Sequence, residues 1–501
     1  MAGAARFSLL SSLIPIPLDP SCSLIWKRGI SMLPRAGNAV YSSMQCQQRD
    51  QPFSTARTTS LNGSWHIWPW SPDVCRLRLA CKALSAKASQ GYFRQHFRRS
   101  QDVDLTSEAL QAFTKRVEAR CGQLRNLNLI GIAPKPRPGD ERGEARARRQ
   151  NHISYLTQAF DTIAERQENH RLESLTLRVV IVHLDGARQL PAFNKCTRWY
   201  ICRRVWVSAV DTWQVALQAL AASKLRIEKL TVFNDGSMEL CSLPCNMLIT
   251  VDLEDSRLVE SLANLKSLSL SVCDRIFDPN RDIVEPGQKY EPSSPRDFEA
   301  EAEDETNFTG VAKFIKLCSK LEELHFHYCR VFNPAFNVHT GFHPAGILQR
   351  MAELESLPKL TKCTMRGIFA TETDLLAFIK RTDASDLTLE HIILVKGTFR
   401  AIIDHCVGDH GPRQALLLDF LHEREGNEPG TMVLFPWYKG RRAEVAIPVD
   451  RIDVAKAESL KRQKDDIKQP VSFLVAHPWF IASPTNMIYK ARDRLEYGAN
   501  S

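Results

Sequence analysis

The sequence predicts an α/β fold in which strands and outer helices alternate and stack into a solenoid with a curved parallel sheet. Two observations favour this fold: one six-residue pattern of apolar residues recurs along the chain, and helix-like stretches separate its copies. Of the 501 residues, 44% are hydrophobic and 25% are charged, as in folded globular proteins. The composition therefore argues against wholesale disorder and against a collagen-like fibre.

The recurring pattern is LxxLxL, and its last two apolar residues alternate with polar ones, as in a strand with one buried face. The copies lie at 124–129, 172–177, 227–232, 265–270, 321–326, 360–365 and 389–394. Their middle positions are Leu127, Leu175, Leu230, Leu268, Leu324, Cys363 and Ile392. These positions are 29 to 56 residues apart, whereas leucine-rich repeats contain about 20–29 residues. We therefore predict an irregular leucine-rich-repeat-like solenoid with insertions. An ordinary α/β domain whose strands carry the pattern is the alternative.

The stretches between the copies show helical spacing. In 106–120, Leu110, Phe113 and Val117 fall on one face of a helix, and Thr106 is suited to cap its first turn. Further helices are predicted at 210–224, 311–319, 347–356 and 373–380. Each strand of the pattern is thus expected to follow a helix, which is the order that a stacked repeat requires.

The solenoid is predicted to span 106–424 and to carry two mobile insertions, at 133–150 and 274–305. Both insertions are rich in charged residues and proline, so they bury too little apolar surface to offset the entropy of ordering. Residues 1–70 are expected to form a disordered or poorly packed leader, with an organelle transit peptide as the alternative.

Residues 425–501 break the pattern and are predicted to form a C-terminal cap or a small add-on. Strands are expected at 431–438 and 443–448, and a charged helix is expected near 451–467.

Sequence patterns for metal, nucleic-acid or membrane binding are weak. Cys318, His325, His327 and Cys329 form the strongest metal-like set. His325 and His327 share one face of a strand, Cys318 lies at the end of the preceding helix, and two histidines alone do not close a tetrahedral zinc site, so no metal and no cofactor are expected. An aromatic and basic stretch at 199–206 is more typical of an amphipathic edge packed on a core than of a nucleic-acid surface. The chain has a net charge of only +9 and no long uncharged apolar segment, so neither a nucleic acid nor a membrane is expected as a partner.

The cysteines predict a compartment. The 14 cysteines are dispersed and form no CxxC pair, which favours reduced thiols. We therefore expect an intracellular protein of the cytoplasm, the nucleus or both.

The concave face of the predicted sheet is the candidate binding surface. Side chains that flank the buried leucines point to this face, and they are polar, rich in hydroxyls and slightly basic. The candidate partner-binding residues are Asn126, Asn128, Thr176, Arg178, Thr231, Phe233, Ser269, Ser271, His325, His327, Thr364 and Arg366. No acid, base and nucleophile converge in this set, so no catalytic residue is assigned and a protein partner is favoured.

The segment 74–98 resembles the second half of an F-box, the helical module that docks substrate receptors onto SCF-type ubiquitin ligases. The run LRLACK at 77–82 and the aromatic and basic YFR at 92–94 carry the likeness to fungal F-box proteins with leucine-rich repeats. The resemblance implies a partial F-box-like helical segment at 71–105. Its candidate adaptor-docking residues are Val74, Leu77, Leu79 and Leu84.

The resemblance is incomplete. The Leu-Pro-x-Glu motif and the first helix of the module are not recognised in 45–70, so only weak docking to the ligase adaptor is expected. The function expected from the resemblance is that of a substrate receptor without catalytic activity, whose protein substrate the sequence does not name. A repeat scaffold without ligase docking and an α/β enzyme of unknown class are the alternatives.

Overall fold

Strands and helices alternate along the part of the chain that the computed structural model describes, and all described residues belong to one structural unit. The described residues are 100–120, 124–133, 142–167, 171–182, 188–189, 199–234, 241–250, 252–273, 276–278, 304, 306–329, 346–408, 413–424, 431–435, 459–468, 471–476 and 494–497. The strands are β1 (Ser100–Asp104), β2 (Asn126–Ala133), β3 (Arg171–Val182), β4 (Arg188–Gln189), β5 (Arg226–Val232), β6 (Leu243–Pro244), β7 (Ser267–Cys273), β8 (Glu323–Cys329), β9 (Lys362–Arg366), β10 (Phe369–Thr371), β11 (Asp386–Glu390), β12 (Ile393–Lys396), β13 (Ala415–Asp419), β14 (His422–Glu423), β15 (Thr431–Leu434), β16 (Ser459–Gln463), β17 (Val471–Ala476) and β18 (Arg494–Tyr497). The α-helices are α1 (Ser107–Arg120), α2 (Arg142–Arg166), α3 (Trp199–Ala222), α4 (Ser256–Leu262), α5 (Thr306–Leu317), α6 (Gly346–Ala352), α7 (Glu372–Thr382) and α8 (Arg400–Val407).

The main sheet is mostly parallel. Its strand order is β1-β2-β3-β5-β7-β8-β9-β11-β13-β16, so each strand pairs with the next long strand along the chain. All these neighbours are parallel except β16, which pairs antiparallel with β13. The two-residue strands β4 and β6 attach to β3 and β7. The predicted α/β class with a parallel sheet is therefore confirmed.

One row of buried side chains runs across this sheet. Leu127 lies opposite Leu175, which lies opposite Leu230. The row continues through Leu268, Leu324, Cys363, Leu387 and Leu416. Each of the eight side chains is at most 1% exposed. The first six positions are those that the sequence pattern predicted, and they share one hydrophobic core with the helices.

The predicted copy at 389–394 is wrong in register. Ile392 is buried, but it lies in a turn after β11 and not in the main sheet. The buried residues of β11 are Leu387 and Leu389, and buried Ala384 completes the same spacing three residues earlier. The apolar residues that follow Leu389 fit the same six-residue pattern, so spacing alone could not choose the register.

A second sheet lies beside the last parallel strands of the main sheet. Its order is β10-β12-β14-β15-β17-β18, and β10, β12 and β14 are parallel. Each of these three strands follows β9, β11 or β13 after a short turn that contains one residue with positive φ. These residues are Gly367, His391 and Phe420, with φ of 73°, 53° and 50°. A Cβ atom on Gly367 would lie 2.2 Å from the carbonyl oxygen of Tyr328, so this turn requires glycine.

Local sequence explains the helices. In α1, the Thr106 Oγ1 accepts a hydrogen bond from the Ala109 amide at 3.3 Å, and Leu110, Phe113 and Val117 are buried, as predicted. Packing follows chain order: α1 contacts α2, α2 contacts α3, α3 contacts α4, α5 contacts α6, α6 contacts α7 and α7 contacts α8. None of the described helices combines the length and the apolarity that crossing a membrane requires.

Two predicted boundaries are wrong. Residues 142–150, expected to be part of a mobile insertion, begin helix α2. Arginine, alanine and glutamate are strong helix formers, so this charged composition favours a helix that packs on its neighbours. Residues 100–104, expected to belong to a helical segment, form β1, so the sheet begins before residue 106.

The C-terminal part extends both sheets. The expected strand at 431–438 is present as β15 at Thr431–Leu434, and β17 and β18 continue the second sheet from it. The charged helix expected near 451–467 is wrong for 459–463, which form β16, and a 3-10 turn follows at Lys464–Lys468. Leu460 pairs with buried Leu418, and this pairing favours a strand over an isolated charged helix.

Several predictions fall on residues outside the described ones. They are the leader at 1–70, the strand at 443–448 and most of the insertion at 274–305. Within that insertion Phe277 is described and buried, and its amide donates to the Asn246 Oδ1 at 3.0 Å.

Candidate functional site

The candidate site is the face of the main sheet that carries the side chains between the buried leucines; we call it the polar face. On β8, Leu324 and Phe326 point into the core, and His325 and His327 point to the polar face. The parallel register places His325 opposite Thr364 and His327 opposite Arg366. The polar face is therefore a grid of side chains in which strand pairing sets the neighbours.

The predicted partner-binding residues differ in exposure. Half-buried members are Asn126, Asn128, Thr176, Arg178, His325, His327 and Thr364, and Arg366 is exposed. Thr231, Phe233, Ser269 and Ser271 are buried, with Phe233 only 1% exposed. The expectation that all twelve side chains are open to a partner is therefore corrected for these four.

Chain segments that cover β7 explain this burial. All seven residues of β7 are buried. The Ser269 Oγ donates to the carbonyl oxygen of Asn234 at 3.0 Å, and the Ser271 Oγ lies 2.7 Å from the Ser242 Oγ. Asn234 and Ser242 belong to the segments that follow β5, so the return path of the chain occupies the middle of the polar face.

The N-terminal end of the polar face is linked by hydrogen bonds between strands. The Asn128 Nδ2 donates to the Asp102 Oδ1 at 2.6 Å, and the Ser174 Oγ donates to the Asn126 Oδ1 at 2.7 Å. Phe233 directly follows β5 with a φ of 52°, and its amide donates to the carbonyl oxygen of Leu177 at 3.2 Å. These contacts join neighbouring strands, so polar groups at this end form hydrogen bonds within the chain.

A polar chain of hydrogen bonds leads to His327. The Ser271 Oγ lies 3.0 Å from the His327 Nδ1 and also contacts Ser242. Burial, followed by the charges of Arg366 and His391, lowers the pKa of His327 to about 3, so the ring is neutral at pH 7. Ser271 resembles a nucleophile beside a base, but its side chain is 0% exposed and already engaged by Ser242. The pair therefore offers no exposed nucleophile.

The C-terminal end of the polar face carries an aromatic pair that we call the ring pair. His391 and Phe420 stack with ring centroids 4.8 Å apart and planes inclined by 8°, and both side chains are half-buried. Burial and the Arg366 charge lower the pKa of His391 to about 4. At neutral pH the pair is therefore an uncharged, partly exposed aromatic surface.

Charged groups surround the ring pair. The Arg366 Nε lies 3.8 Å from the Glu390 Oε2. Burial raises the pKa of Asp419, whereas a hydrogen bond from Ser459 and the Arg366 charge oppose the rise. Burial also raises the pKa of Glu390, and the neighbouring Asp419 adds to it. Perturbed groups that cluster on one surface are typical of functional sites, although structural ion-pair networks produce them too.

His325 marks the middle of the exposed part of the face. Burial lowers its pKa first, Lys362 and Lys229 lower it further, and Glu323 opposes them. The two lysines are exposed, so a partner on this face meets cations beside a neutral histidine. Such a set can form hydrogen bonds and ion pairs with a protein surface.

Two further patterns of the sequence, the metal-like set and the aromatic and basic stretch, can be placed in the structure. No group of three or more histidine, cysteine or acidic side chains among the described residues could hold a metal ion. Cys318 and Cys329 are buried, and burial raises the pKa of the Cys318 thiol to about 12. In the aromatic and basic stretch, Trp206 is 1% exposed and so is not available for stacking on a base.

A shallow cavity of about 550 Å³ lies on the helix side of the molecule and not on the polar face. Ser154, Thr157, Asp161 and Glu165 of α2 line it together with Ala222 of α3. Ligand pockets are mostly apolar with a few convergent polar groups. This cavity is lined mainly by polar side chains of one helix, so it does not resemble such a pocket.

Sequence reasoning missed part of the C-terminal end. Glu390, Asp419 and Phe420 were not among the predicted site residues, because the last repeats were read out of register or not at all. The signal was present: the segments DLTLEH at 386–391 and ALLLDF at 415–420 have the same order of apolar, acidic and ring residues.

The candidate adaptor-docking residues Val74, Leu77, Leu79 and Leu84 lie outside the described residues.

No protein-family model matches the chain, and no curated protein is significantly similar to it in sequence.

Proposed function

We propose that the chain is a protein-interaction module built as an irregular leucine-rich-repeat-like solenoid, and that it serves as a substrate receptor of an SCF-type ubiquitin ligase. The observation that carries the interaction role is the ladder of parallel strands in chain order, with a hydrophobic core on one side and the polar face on the other. Stacked repeats of this kind create extended surfaces that bind other proteins.

Repeat length supports the solenoid. The core positions Cys363, Leu387 and Leu416 are 24 and 29 residues apart, within the range of about 20–29 residues for leucine-rich repeats. The turns after the three strands are also equivalent, because Gly367, His391 and Phe420 hold the same left-handed position. The first two intervals, of 48 and 55 residues, are longer because helices of 25 and 24 residues occupy them.

Exposure supports the choice of surface. Lys362 and Arg366 on β9 are exposed, and the half-buried His325, His327 and Thr364 lie around them. The part of the polar face from β8 to β13 therefore offers donors, acceptors and both charges to a partner, as protein interfaces do. Ligase docking rests on a different feature, the F-box resemblance at 74–98.

Partner capture with charge-reversal variants tests the interaction role. Arg366→Glu changes the polar face, and Lys316→Glu makes the same change on the exposed side of α5 as a matched control. Proteins captured from cells by the tagged chain should include a set that Arg366→Glu loses at least about tenfold and Lys316→Glu retains. Identical partner sets for both variants would contradict a role for the polar face.

Ligase docking is tested separately with the purified adaptor subunit. Leu77→Asp with Leu84→Asp should abolish the weak binding that the resemblance implies, because apolar side chains supply the docking energy. Ser85→Asp with Ser89→Asp adds the same charge to the same segment and is the control. Absence of any adaptor binding by the unchanged chain would favour a repeat scaffold without ligase docking.

A further inference from the structure

The ring pair has the geometry of a stacking platform. His391 and Phe420 come from equivalent turns of successive repeats, and their planes differ by only 8° at a centroid separation of 4.8 Å. Both rings keep part of their surface exposed. Planar groups, and guanidinium in particular, add to such a stack face to face.

Backbone conformation makes these rings unusual. Positive φ favours glycine, and the preceding turn uses Gly367 for this purpose. At His391 and Phe420 the chain instead carries large rings with φ near 50°, a conformation that is uncommon for bulky residues. Stacking of the two rings offsets part of that strain and holds both planes in one orientation.

The charges beside the platform favour a cation. Two acidic residues and one arginine lie there: the Arg366 Nε is 3.8 Å from the Glu390 Oε2, and the Arg366 charge also acts on Asp419, which accepts a hydrogen bond from Ser459. Glu390 directly precedes His391, Asp419 directly precedes Phe420, and the two acids are opposite each other in the strand register, so the carboxylates outnumber the single arginine. The neutral His391 ring does not repel a positive ligand at pH 7.

We infer that the ring pair and Asp419 bind an arginine side chain of the protein partner. The guanidinium stacks on the exposed aromatic surface and pairs with the Asp419 carboxylate. A lysine ammonium carries the same charge but lacks the plane that stacks and the fork that pairs with both carboxylate oxygens. This inference rests on the proposed function and names the partner chemistry at one end of the polar face.

The test uses N-acetyl-arginine methylamide as the probe, with the full chain carrying 4-fluorophenylalanine at position 420 for fluorine NMR. A saturable shift with a dissociation constant on the order of 1–10 mM is expected, because a single side chain supplies limited binding energy. The neutral citrulline analogue should give no saturable shift, and the lysine analogue should bind at least about fivefold more weakly. Equal shifts with arginine and citrulline, or no saturation with arginine, would overturn the inference.

Two variants test whether Asp419 supplies the carboxylate that pairs with the arginine probe. Asp419→Asn should weaken binding of the arginine probe by about fivefold or more. Asp386→Asn changes the acidic residue at the start of β11 and should leave binding of the probe unchanged. Far-ultraviolet circular dichroism and thermal unfolding confirm that both variants fold. Equal weakening by both substitutions would overturn the role of Asp419.

Failure here is distinguishable from failure of the proposed function. If Arg366→Glu releases captured partners but the arginine probe does not bind, the polar face remains the interaction surface and the arginine site is wrong. If the probe binds as expected and captured partners are released by Asp419→Asn but not by Asp386→Asn, the inference and the proposed surface are supported together.

Discussion

The two ends of the main sheet have the same parallel strand pairing, but the segments that connect successive strands differ in length. In the helical region, residues 100–234, neighbouring core leucines are 48 and 55 residues apart, and α2 and α3 contain 25 and 24 residues. In the double-sheet region, residues 362–424, the intervals are 24 and 29, and α7 and α8 contain 11 and 8 residues. The pairing of the strands thus does not depend on the length of the segment that connects them, because the connection has only to bring the next strand beside the previous one.

The cores of the two regions differ accordingly. Long helices supply the large side chains of the helical region, and Phe160 and Trp213 are 0% exposed there. In the double-sheet region the second sheet shares this role, and Phe369 of β10 and Phe378 of α7 are both buried. A short connection therefore buries its core with a second strand and a short helix, whereas a long connection uses a long helix.

The largest effect is expected from a change in the helical region. Trp213 is fully buried and lies 5.6 Å from the Phe314 ring, centroid to centroid. Trp213→Ala should lower the free energy of unfolding by about 3–5 kcal/mol, because the cavity it leaves is large. Urea unfolding followed by circular dichroism measures the change. Gln218→Ala, on an exposed position of the same helix, should stay within about 0.5 kcal/mol of the unchanged chain. A loss below about 1 kcal/mol for Trp213→Ala would mean that this helix does not stabilise the sheet.

A matched pair of leucines compares the two regions directly. Leu230 and Leu387 occupy the same buried row, four strands apart, with exposures of 0% and 1%. Each leucine-to-alanine change should cost about 2–5 kcal/mol. Because one core joins the regions, both variants should unfold in a single transition, with tryptophan fluorescence and circular dichroism coinciding. Two separated transitions would show that the regions fold as independent units.

A turn substitution addresses the double-sheet region alone. Gly367→Ala should cost about 1–3 kcal/mol, because the added Cβ meets the Tyr328 carbonyl oxygen in a backbone conformation that alanine avoids. The matched changes His391→Gly and Phe420→Gly relieve backbone strain but lose the stack, so their net effect should be smaller, within about 1 kcal/mol. Thermal unfolding ranks the three variants. An unchanged stability for Gly367→Ala would mean that the turn can relax.

Acidification should weaken the C-terminal end of the polar face. The pKa values of His327 and His391 are lowered to about 3 and about 4 from 6.5. A histidine with a lowered folded pKa stabilises the fold above pH 6.5, and that stability is lost as pH falls, because the unfolded chain takes up the protons first. The loss should run between pH 6.5 and about 4 for His391 and continue to about 3 for His327.

Substitution isolates the His391 contribution. In His391→Gln, the pH dependence of the unfolding free energy between pH 6.5 and 4 should flatten by about 1–2 kcal/mol, after allowance for the partial exposure of the ring. Thr364→Val, a change on the same face without a titrating group, should keep the original slope. A slope equal to that of the unchanged chain in His391→Gln would assign the dependence to other groups.

The smallest effect is expected for a surface ion pair of the helical region. Arg125 and Glu173 lie 2.6 Å apart, but their side chains are 47% and 41% exposed. Arg125→Ala should therefore change the unfolding free energy by about 0–1 kcal/mol, and high salt should remove the difference. A loss above about 2 kcal/mol would indicate that the pair does more than link two strands at the surface.

Spacing in the sequence located most of the main sheet. Six of the seven predicted middle positions lie in one buried row, because alternation of leucine with polar residues is a local property that each strand carries by itself. The last repeats escaped because Leu389, Ile392 and Leu394 match the pattern as well as Ala384, Leu387 and Leu389 do. The two alignments of the pattern are five residues apart along the chain, and apolar spacing alone cannot choose between them.

What the sequence by itself determined is the alternation of strands and helices and the row of core leucines, since burial of an apolar side chain follows from its own periodicity. Only the tertiary structure decided which polar residues remain open: Ser269 and Ser271 are covered because Asn234 and Ser242 return across β7. It also brought His391 onto Phe420, a contact between residues 29 apart that exists only once neighbouring strands have paired. Contacts of this kind depend on the assembled ladder, and no single repeat contains the information that creates them.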